Sequence, residues 1–589
     1  MNLEQTNKSA RIFDYVIIGG GLTGCYLLQQ LVSKDKTAHC LLLEAGTELG
    51  GRVSTIDFKD TDGEHIHYEA GGARFSDKHI RLNRLLKKLG LEKDKIKIPN
   101  TVEHVLCPAV EYTGLLAEYP TIDSIIKRIA DYIADHKISD RILRANTLTS
   151  FIEHYMKDSK LAHYIISFYE YYSELAVLNA LDALKVFQQE FNKDVQYYVL
   201  GQGYSSIITG IQDKLTSKYK SRANIQLQNM VTGLSYSRET KFFSVTRSVP
   251  DRPCPGNNVN DTSSSNSKPE PVILARRVIF TIPMDALAKI KFGQVKEGKS
   301  VNYEPIWDLR SRISCQPLYR IYARYPGDLT QWLPGNGVKI ATNLPIKYII
   351  PMDVAKGLVM ISYTDGRFAN YMNKLNMVDN IDNTHKLETV IYNNIRMIIK
   401  AFPGLTSEER RAYLAKVPKR ALWVKHYYWK SGAGYWRPES RKPLSPDQIA
   451  HPVASIPLYI AGENVSNHQA WLEGCLESAD NVLDALGLLN RTRPIINNIT
   501  QTGGSKKGKT YTLDEVAKHN KKTDGWLVIN KKVYNVTSWI NKHPGGDAIL
   551  AGLGKDATGL FNSKGGTGHS AGAHRILAKY LIGSLAKPE

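Results

Sequence analysis

The sequence predicts a multidomain chain of α/β and α+β class: a dinucleotide-binding α/β region with an interleaved α+β region, then a small separate α+β module. Three observations carry that reading. An apolar strand, a glycine-rich turn and a helix follow one another in DYVIIGGGLTGCYLLQQLV near the N-terminus. Strand, turn and helix signals then recur as far as Leu489, where a stretch ending in Gly, Ser and Lys interrupts them. Beyond it, Tyr511 to Leu585 is short, hydrophobic and Gly-rich, with two histidines, His543 and His569, each in its own loop. At 589 residues, 42% of them hydrophobic, the chain is long enough for several cores.

In the first motif Gly19, Gly21 and Gly24 have the GxGxxG spacing. The first permits a tight turn, the second lets the backbone approach a pyrophosphate, and the third lets helix pack on strand. The helix N-terminus then faces the phosphates with its positive dipole end. A second strand, HCLLLEAG, ends at Glu44, about twenty residues on, where a carboxylate can hydrogen-bond a ribose diol. Gly50-Gly51-Arg52 follows directly, and Arg52 can offset pyrophosphate charge. YEAGGARF, Tyr68 to Phe75, adds another glycine pair. Far downstream, PLYIAGENVSNHQAWLEGCLESADNVLDAL (Pro457 to Leu486) supplies a strand, an acid at Glu463 and a long helix.

The dinucleotide-binding parts are expected at about 11–85, 201–300 and 440–489 of a region spanning 11–489, with substrate-binding and helical parts at about 86–200 and 301–439. Ile122 to Glu190 is amphipathic and tyrosine-rich and reads as a helical subdomain. The polar run 250–271 cannot bury a core and is expected as a disordered loop between two strands of a hairpin. Residues 490–509 read as a flexible linker, and 510–587 as the terminal module.

The motifs of the long region resemble the flavin-containing amine oxidase family, which includes monoamine, polyamine and L-amino acid oxidases. The resemblance covers most of 11–489 and is strongest at both ends. It implies a Rossmann-type FAD-binding domain in which Glu463 and the backbone around Gly462 hold the flavin ribityl and pyrophosphate region. Val231 would contact the adenine, and Gly72, Ala73, Arg74 and Trp471 would border the cofactor. In Ser431-Gly432-Ala433-Gly434-Tyr435, Gly434 stands where monoamine oxidases carry the flavin-attaching cysteine, so the FAD is expected to be noncovalent. The family oxidises a C–N bond by hydride transfer to flavin, and Tyr435 and Trp471 match the aromatic pair that forms its substrate slot; core packing is the other reading of both. Arg74 matches the arginine that binds the substrate α-carboxylate in L-amino acid oxidases, a task suited to a planar guanidinium fork. The alternative is an arginine that pairs with a protein carboxylate or closes the flavin pocket. The family lysine that holds a water near the flavin has no secure counterpart among Lys289, Lys291, Lys296 and Lys299.

The terminal module resembles cytochrome b5 along its whole length. HPGG at His543 to Gly546 marks the first ligand loop, and GHS with its spacing to Ile582-Gly583 marks His569, rather than His574, as the second. The resemblance implies haem b held through iron by His543 and His569, with Trp539 and Phe561 against the porphyrin face. Two imidazoles fill both axial positions and leave the iron only electron transfer. The departure is an insertion of roughly two residues within Ser563 to Thr567, and the competing reading is a b5-like fold without haem.

Lys and Arg number 77 against 57 Asp and Glu, a net charge of +20. The basic residues are spread out, so they read either as solvated surface or as attraction to an anionic partner. Six scattered cysteines fit a reducing compartment, and no apolar run is long enough to span a bilayer. The expectation is a soluble, cytoplasmic oxidoreductase: an FAD-dependent amine or L-amino acid oxidase. It would pass electrons to its fused haem and on to a one-electron acceptor, or to dioxygen with hydrogen peroxide as product. The alternatives are a polyamine oxidase or flavin desaturase with the same relay and, from another class, a non-catalytic redox or polyanion-binding scaffold.

Overall fold

A computed structural model describes residues 12–99, 101–108, 113–169, 171–190, 195–248, 272–293, 301–377, 384–489, 510–562, 577 and 580–586. The 250–271 loop, the 490–509 linker and His569 lie outside the described residues. The chain divides into two compact units, Met1–Thr492 and Arg493–Glu589.

The first unit is built on an eight-stranded sheet. Its backbone order is Lys291–Gly293, Met230–Ser237, Phe242–Ser248, Ile273–Phe280, β1 (Ile12–Ile18), β2 (Cys40–Leu43) and Ala223–Gln226, with Leu458–Ile460 also pairing with Ile273–Phe280. β1 runs parallel to β2, with Tyr15 opposite Cys40 and Ile18 opposite Leu43. Helix α1 (Leu22–Lys34) crosses between them. Successive side chains of β1 leave opposite faces, so the strand serves two cores. Tyr15 and Ile17 pack with Leu27, Leu28 and Leu31 of α1. Val16 and Ile18 pack with Val278, Phe280 and Leu458 on the other side. Both faces are covered, which is why the strand reads as a continuous apolar run rather than an alternating one. Phe242–Ser248 and Ile273–Phe280, the strands on either side of the polar run, pair antiparallel.

A second sheet has six strands in the order Trp423–Trp436, Ile313–Arg324, Leu358–Asp365, Tyr348–Asp353, Lys339–Thr342 and Val102–Val105. Helices Gly366–Met377 and Thr384–Ala401 contribute Ala369, Met372, Ile391, Ile395 and Ile398 to the core on one of its faces. Helices between Ile122 and Glu190 form a third core around Phe151, Tyr164, Ile165 and Leu175, into which Ala433 and Tyr435 also reach. Residues of the two sheets thus interleave along the chain.

The second unit has a five-stranded sheet ordered Thr510–Tyr511, Leu581–Leu585, Lys532–Asn535, Asp524–Ile529 and Asn520–Lys521. Asp524–Ile529 alternates between two small cores. Leu527 and Ile529 pack with Val536, Ile540 and Leu553, while Val528 packs with Val516 and Val533. Among the described residues of the whole chain, no helix is long and apolar enough to cross a membrane.

Candidate functional site

The turn after β1 is shaped by what its glycines lack. Gly19 sits at φ +113°, a region that L side chains rarely adopt. A Cβ on Gly24 would stand 2.0 Å from the Gly19 carbonyl, so α1 rests directly on the turn. Gly21 is the N-cap of α1, without a side-chain cap and with no acid in the first turn. A Cβ there would meet only the Gly50 carbonyl, at 3.8 Å. The positive end of the helix therefore looks onto open ground suited to an anion. Glu44 is fixed beside it: Oε2 accepts from the Gly20 amide at 2.6 Å and Oε1 from the Gly46 amide at 2.7 Å.

The structure brings Arg52 and Glu463 into direct contact. Arg52 Nη1 donates to Glu463 Oε1 at 2.6 Å and to the Gly432 carbonyl at 2.8 Å. Glu463 Oε2 accepts from the Ala470 amide at 2.9 Å and the Gly434 amide at 3.4 Å. One ion pair thus ties together three distant segments. Gly434 packs so closely that a Cβ would lie 2.4 Å from Cβ of Asn464, leaving no room for a side chain. Gly72 would tolerate a Cβ, whereas on Gly71, which sequence reasoning passed over, it would strike the Arg52 carbonyl at 1.9 Å. Ala73 is half-buried between Gly72 and Arg74. Val231 is half-buried on Met230–Ser237, opposite Arg247 and two residues after Asn229, whose amide donates to the Glu44 carbonyl at 2.8 Å.

Arg74 and Trp471 do meet. The Arg74 guanidinium stands 4.7 Å from the centre of the Tyr197 ring, 5.7 Å from Trp471 and 5.8 Å from Tyr171. Trp471, the N-cap of helix Leu472–Ala485, lies nearly parallel to Tyr197 and edge-on to His79. His79 Nε2 is 3.1 Å from Glu190, a buried pair behind the indole. Tyr435 is buried on the strand Trp423–Trp436, and its hydroxyl donates to Glu174 Oε1 at 3.3 Å.

Several charged groups here escaped the sequence reading. Arg320, 3% exposed, donates Nη1 to the Glu69 carbonyl at 2.8 Å and stacks 4.4 Å from the Tyr363 ring. Lys347 Nζ is buried and donates to the Ile166 carbonyl at 3.1 Å. Burial pushes the Glu69 carboxyl up to about 7, against the Tyr204 amide and the Thr55 hydroxyl. Burial, then the Asp365 carboxylate, pushes Glu174 up to about 8. Both values exceed the ordinary 4.5, so the folded chain keeps protons that the unfolded chain has lost. The stability these groups contribute is full below about pH 4.5 and is lost as pH rises through about 7 and 8. Glu69→Gln should therefore flatten the pH dependence of urea unfolding between about pH 5 and 8; an unchanged slope would contradict the assignment.

In the second unit His543 follows the turn Ile540–Lys542, with Nδ1 3.1 Å from the Gly546 carbonyl. Donation from Nδ1 leaves Nε2 with a lone pair for a metal. Trp539 and Phe561 pack against the larger core together with Ile549, Leu550, Leu577 and Tyr580.

Residues 21–485 match the family model described as flavin containing amine oxidoreductase. The chain belongs to that family. Residues 512–586 match the cytochrome b5-like heme/steroid binding domain. Cytochrome b5 of Oryza sativa subsp. japonica is 49% identical over 78 residues, 13% of this chain and 55% of that protein, so the match spans about half of the relative. A putrescine oxidase structure with putrescine bound aligns with 81% of this chain and 99% of its own at 14% identity and TM-score 0.54. Cyclohexylamine oxidase from Brevibacterium oxydans IH-35A aligns over the same shares at 16% identity and TM-score 0.52. At such identities these structures speak for the fold.

Membership in the flavin amine oxidoreductases implies FAD, and the b5-like domain implies haem. The open N-terminus of α1 and the carboxylate of Glu44 at the end of β2 fit a dinucleotide's pyrophosphate and ribose. For haem, the His543 tautomer and the apolar cluster with Trp539 and Phe561 fit a porphyrin and its iron. Of the family-lysine candidates, Lys289 and Lys291 are exposed, and Lys296 and Lys299 lie outside the described residues.

Proposed function

We propose that this chain oxidises the C–N bond of an L-amino acid by hydride transfer to noncovalent FAD. Its electrons then pass singly to a haem b held by His543 and His569, and onward to a one-electron acceptor. The observation that carries the substrate class is Arg74, a guanidinium set among Tyr171, Tyr197 and Trp471 next to the glycine-pair segment. Its planar fork suits a carboxylate, and holding the carboxylate fixes the neighbouring Cα–H bond. Tyr435 and Trp471 would close the apolar slot around that bond, and Gly434, with no space for a side chain, supports a cofactor held without a covalent link. The imine product would hydrolyse to a keto acid and ammonia; dioxygen is the competing acceptor and would yield hydrogen peroxide. Carrying both groups on one chain would keep the haem at an effective concentration on the order of millimolar.

The test is anaerobic mixing of the holoprotein with amino acids, diamines and aryl amines while the flavin and haem bands are followed separately. Amino acids should bleach the flavin first and reduce the haem second. Arg74→Met should raise the amino acid Kd by about 10- to 100-fold, the worth of hydrogen bonds to a charged group. A second reading, a polyamine-type oxidase, draws on the buried carboxyls of Glu174 and Asp365, which could face a cationic substrate. It predicts bleaching by diamines and indifference to Arg74→Met.

A further inference from the structure

Hydride can leave a carbon only if the nitrogen beside it has its lone pair, yet alkylamines with pKa values near about 10 arrive as ammonium ions. Some group must receive that proton. Glu174, 7% exposed on the short helix Tyr172–Ala176, is placed for it. Its Oε1 accepts from the Tyr435 hydroxyl at 3.3 Å, and its Oε2 is buried without a hydrogen-bond partner. Glu174 and Tyr435 also line a cavity of about 220 Å³, which Asp182, Lys185, Asn467 and His468 share. The Lys185 side chain is 48% exposed, so that chamber reaches the surface. Glu174 therefore bonds the candidate slot residue through its carboxyl and is itself part of the wall of a polar chamber.

We propose that Glu174 receives the proton of the substrate ammonium through the Tyr435 hydroxyl and releases it into the polar cavity. One N–H bond breaks and its electron pair stays on nitrogen. The proton joins the Tyr435 oxygen as that hydroxyl's own proton moves to Glu174, and no oxidation state changes.

The groups around the carboxyl set when it can act. Asp365 bonds the Tyr172 and Ser173 amides at 2.8 Å each and opposes ionisation of Glu174, while Arg74 favours it. Asp182 and Lys185 face the chamber from helix Ala180–Glu190, and His468 faces it from the loop before Trp471, with its Nδ1 2.5 Å from Glu477. With its proton affinity pushed up to about 8, Glu174 is a base only in mildly alkaline solution.

The proposal rests on amine oxidation and not on which amine is used. The probe is whichever amine bleaches the flavin, mixed anaerobically with the holoprotein in single turnover. The bleaching rate at saturating amine is followed as pH is raised from about 6 to about 10. In wild type the rate should rise as pH passes about 8, where Glu174 ionises, whereas Glu174→Gln and Tyr435→Phe should lose that rise and follow only the amine's own titration near about 10. Glu174→Asp should restore part of that rise, and Glu174→Gln should slow flavin bleaching by roughly 100-fold or more above about pH 8. The same pH profile in wild type and Glu174→Gln would overturn the assignment. So would a variant that loses only affinity for diamines, because Glu174 would then be an ammonium anchor. If no amine bleaches the flavin, the proposed activity falls and this inference with it.

Discussion

Glu463→Ala is expected to destabilise the Met1–Thr492 unit by about 3–5 kcal/mol, and adding Arg52→Met should recover a large part of that loss. The Glu463 side chain is 6% exposed and that of Arg52 28%, so removing the carboxylate strands a guanidinium largely away from water. The same change frees the Ala470 and Gly434 amides and the Asn464 side-chain amide, which all donate to Glu463. Two of those donors belong to the turn before Trp471, so the loss should loosen the residue against which Arg74 stands. A domain's whole stability is about 5–15 kcal/mol, so such a loss would show plainly in urea unfolding. The four proteins of a double-mutant cycle suffice. If the two substitutions are simply additive, Arg52 and Glu463 do not hold one another, and each answers to the cofactor alone.

That pair also shows where reading the sequence stops. Its partners are 411 positions apart and each was legible as a charged residue in a cofactor motif, but nothing in either motif says they touch. The β1–α1–β2 unit was legible because its logic is local. A strand buried on both faces, a turn that excludes Cβ atoms and an acid at the next strand's end all fall within three dozen residues, from Ile12 to Glu44. The second sheet has no such punctuation. It carries Arg320, Lys347 and Asp365 on or beside three different strands, and the helix Tyr172–Ala176 delivers Glu174 from a fourth place. Only the pairing of Ile313–Arg324 with Leu358–Asp365 sets Arg320 opposite Tyr363. A signal did exist. In LYRIYA the residues Tyr319, Ile321 and Ala323 enter one core, so an arginine between them had to face something else buried. A charge in the middle of an apolar strand must be compensated, and that requirement points to a site before any motif does. Glycines misled in a smaller way. Gly71 and Gly72 look alike in sequence, yet only at Gly71 does a carbonyl occupy the space of a side chain.

His543→Ala in the full-length holoprotein is expected to abolish substrate-driven haem reduction while leaving flavin bleaching by the same substrate unchanged. His543 is held by its own backbone, with Nδ1 against the Gly546 carbonyl and its amide donating to the Ile540 carbonyl. Those two bonds fix the orientation of the ring. Disturbing a partner of a metal ligand already costs about 10- to 100-fold in affinity or activity, and deleting the ligand should cost at least as much. Added imidazole would supply the donor that the variant lacks, so it should restore part of the haem reduction. His519 is the control. It stacks 3.6 Å from the Trp526 ring and its Nδ1 is 2.8 Å from Asp524, contacts that already occupy it. His519→Ala should leave the Soret band in place. Rapid anaerobic mixing with the flavin and haem bands read separately tells the cases apart. If His543→Ala still reduces its haem at the wild-type rate, the first ligand lies elsewhere and the HPGG loop is only a turn. If neither variant nor wild type takes up haem at all, electrons leave the flavin by another route and the module serves some other purpose.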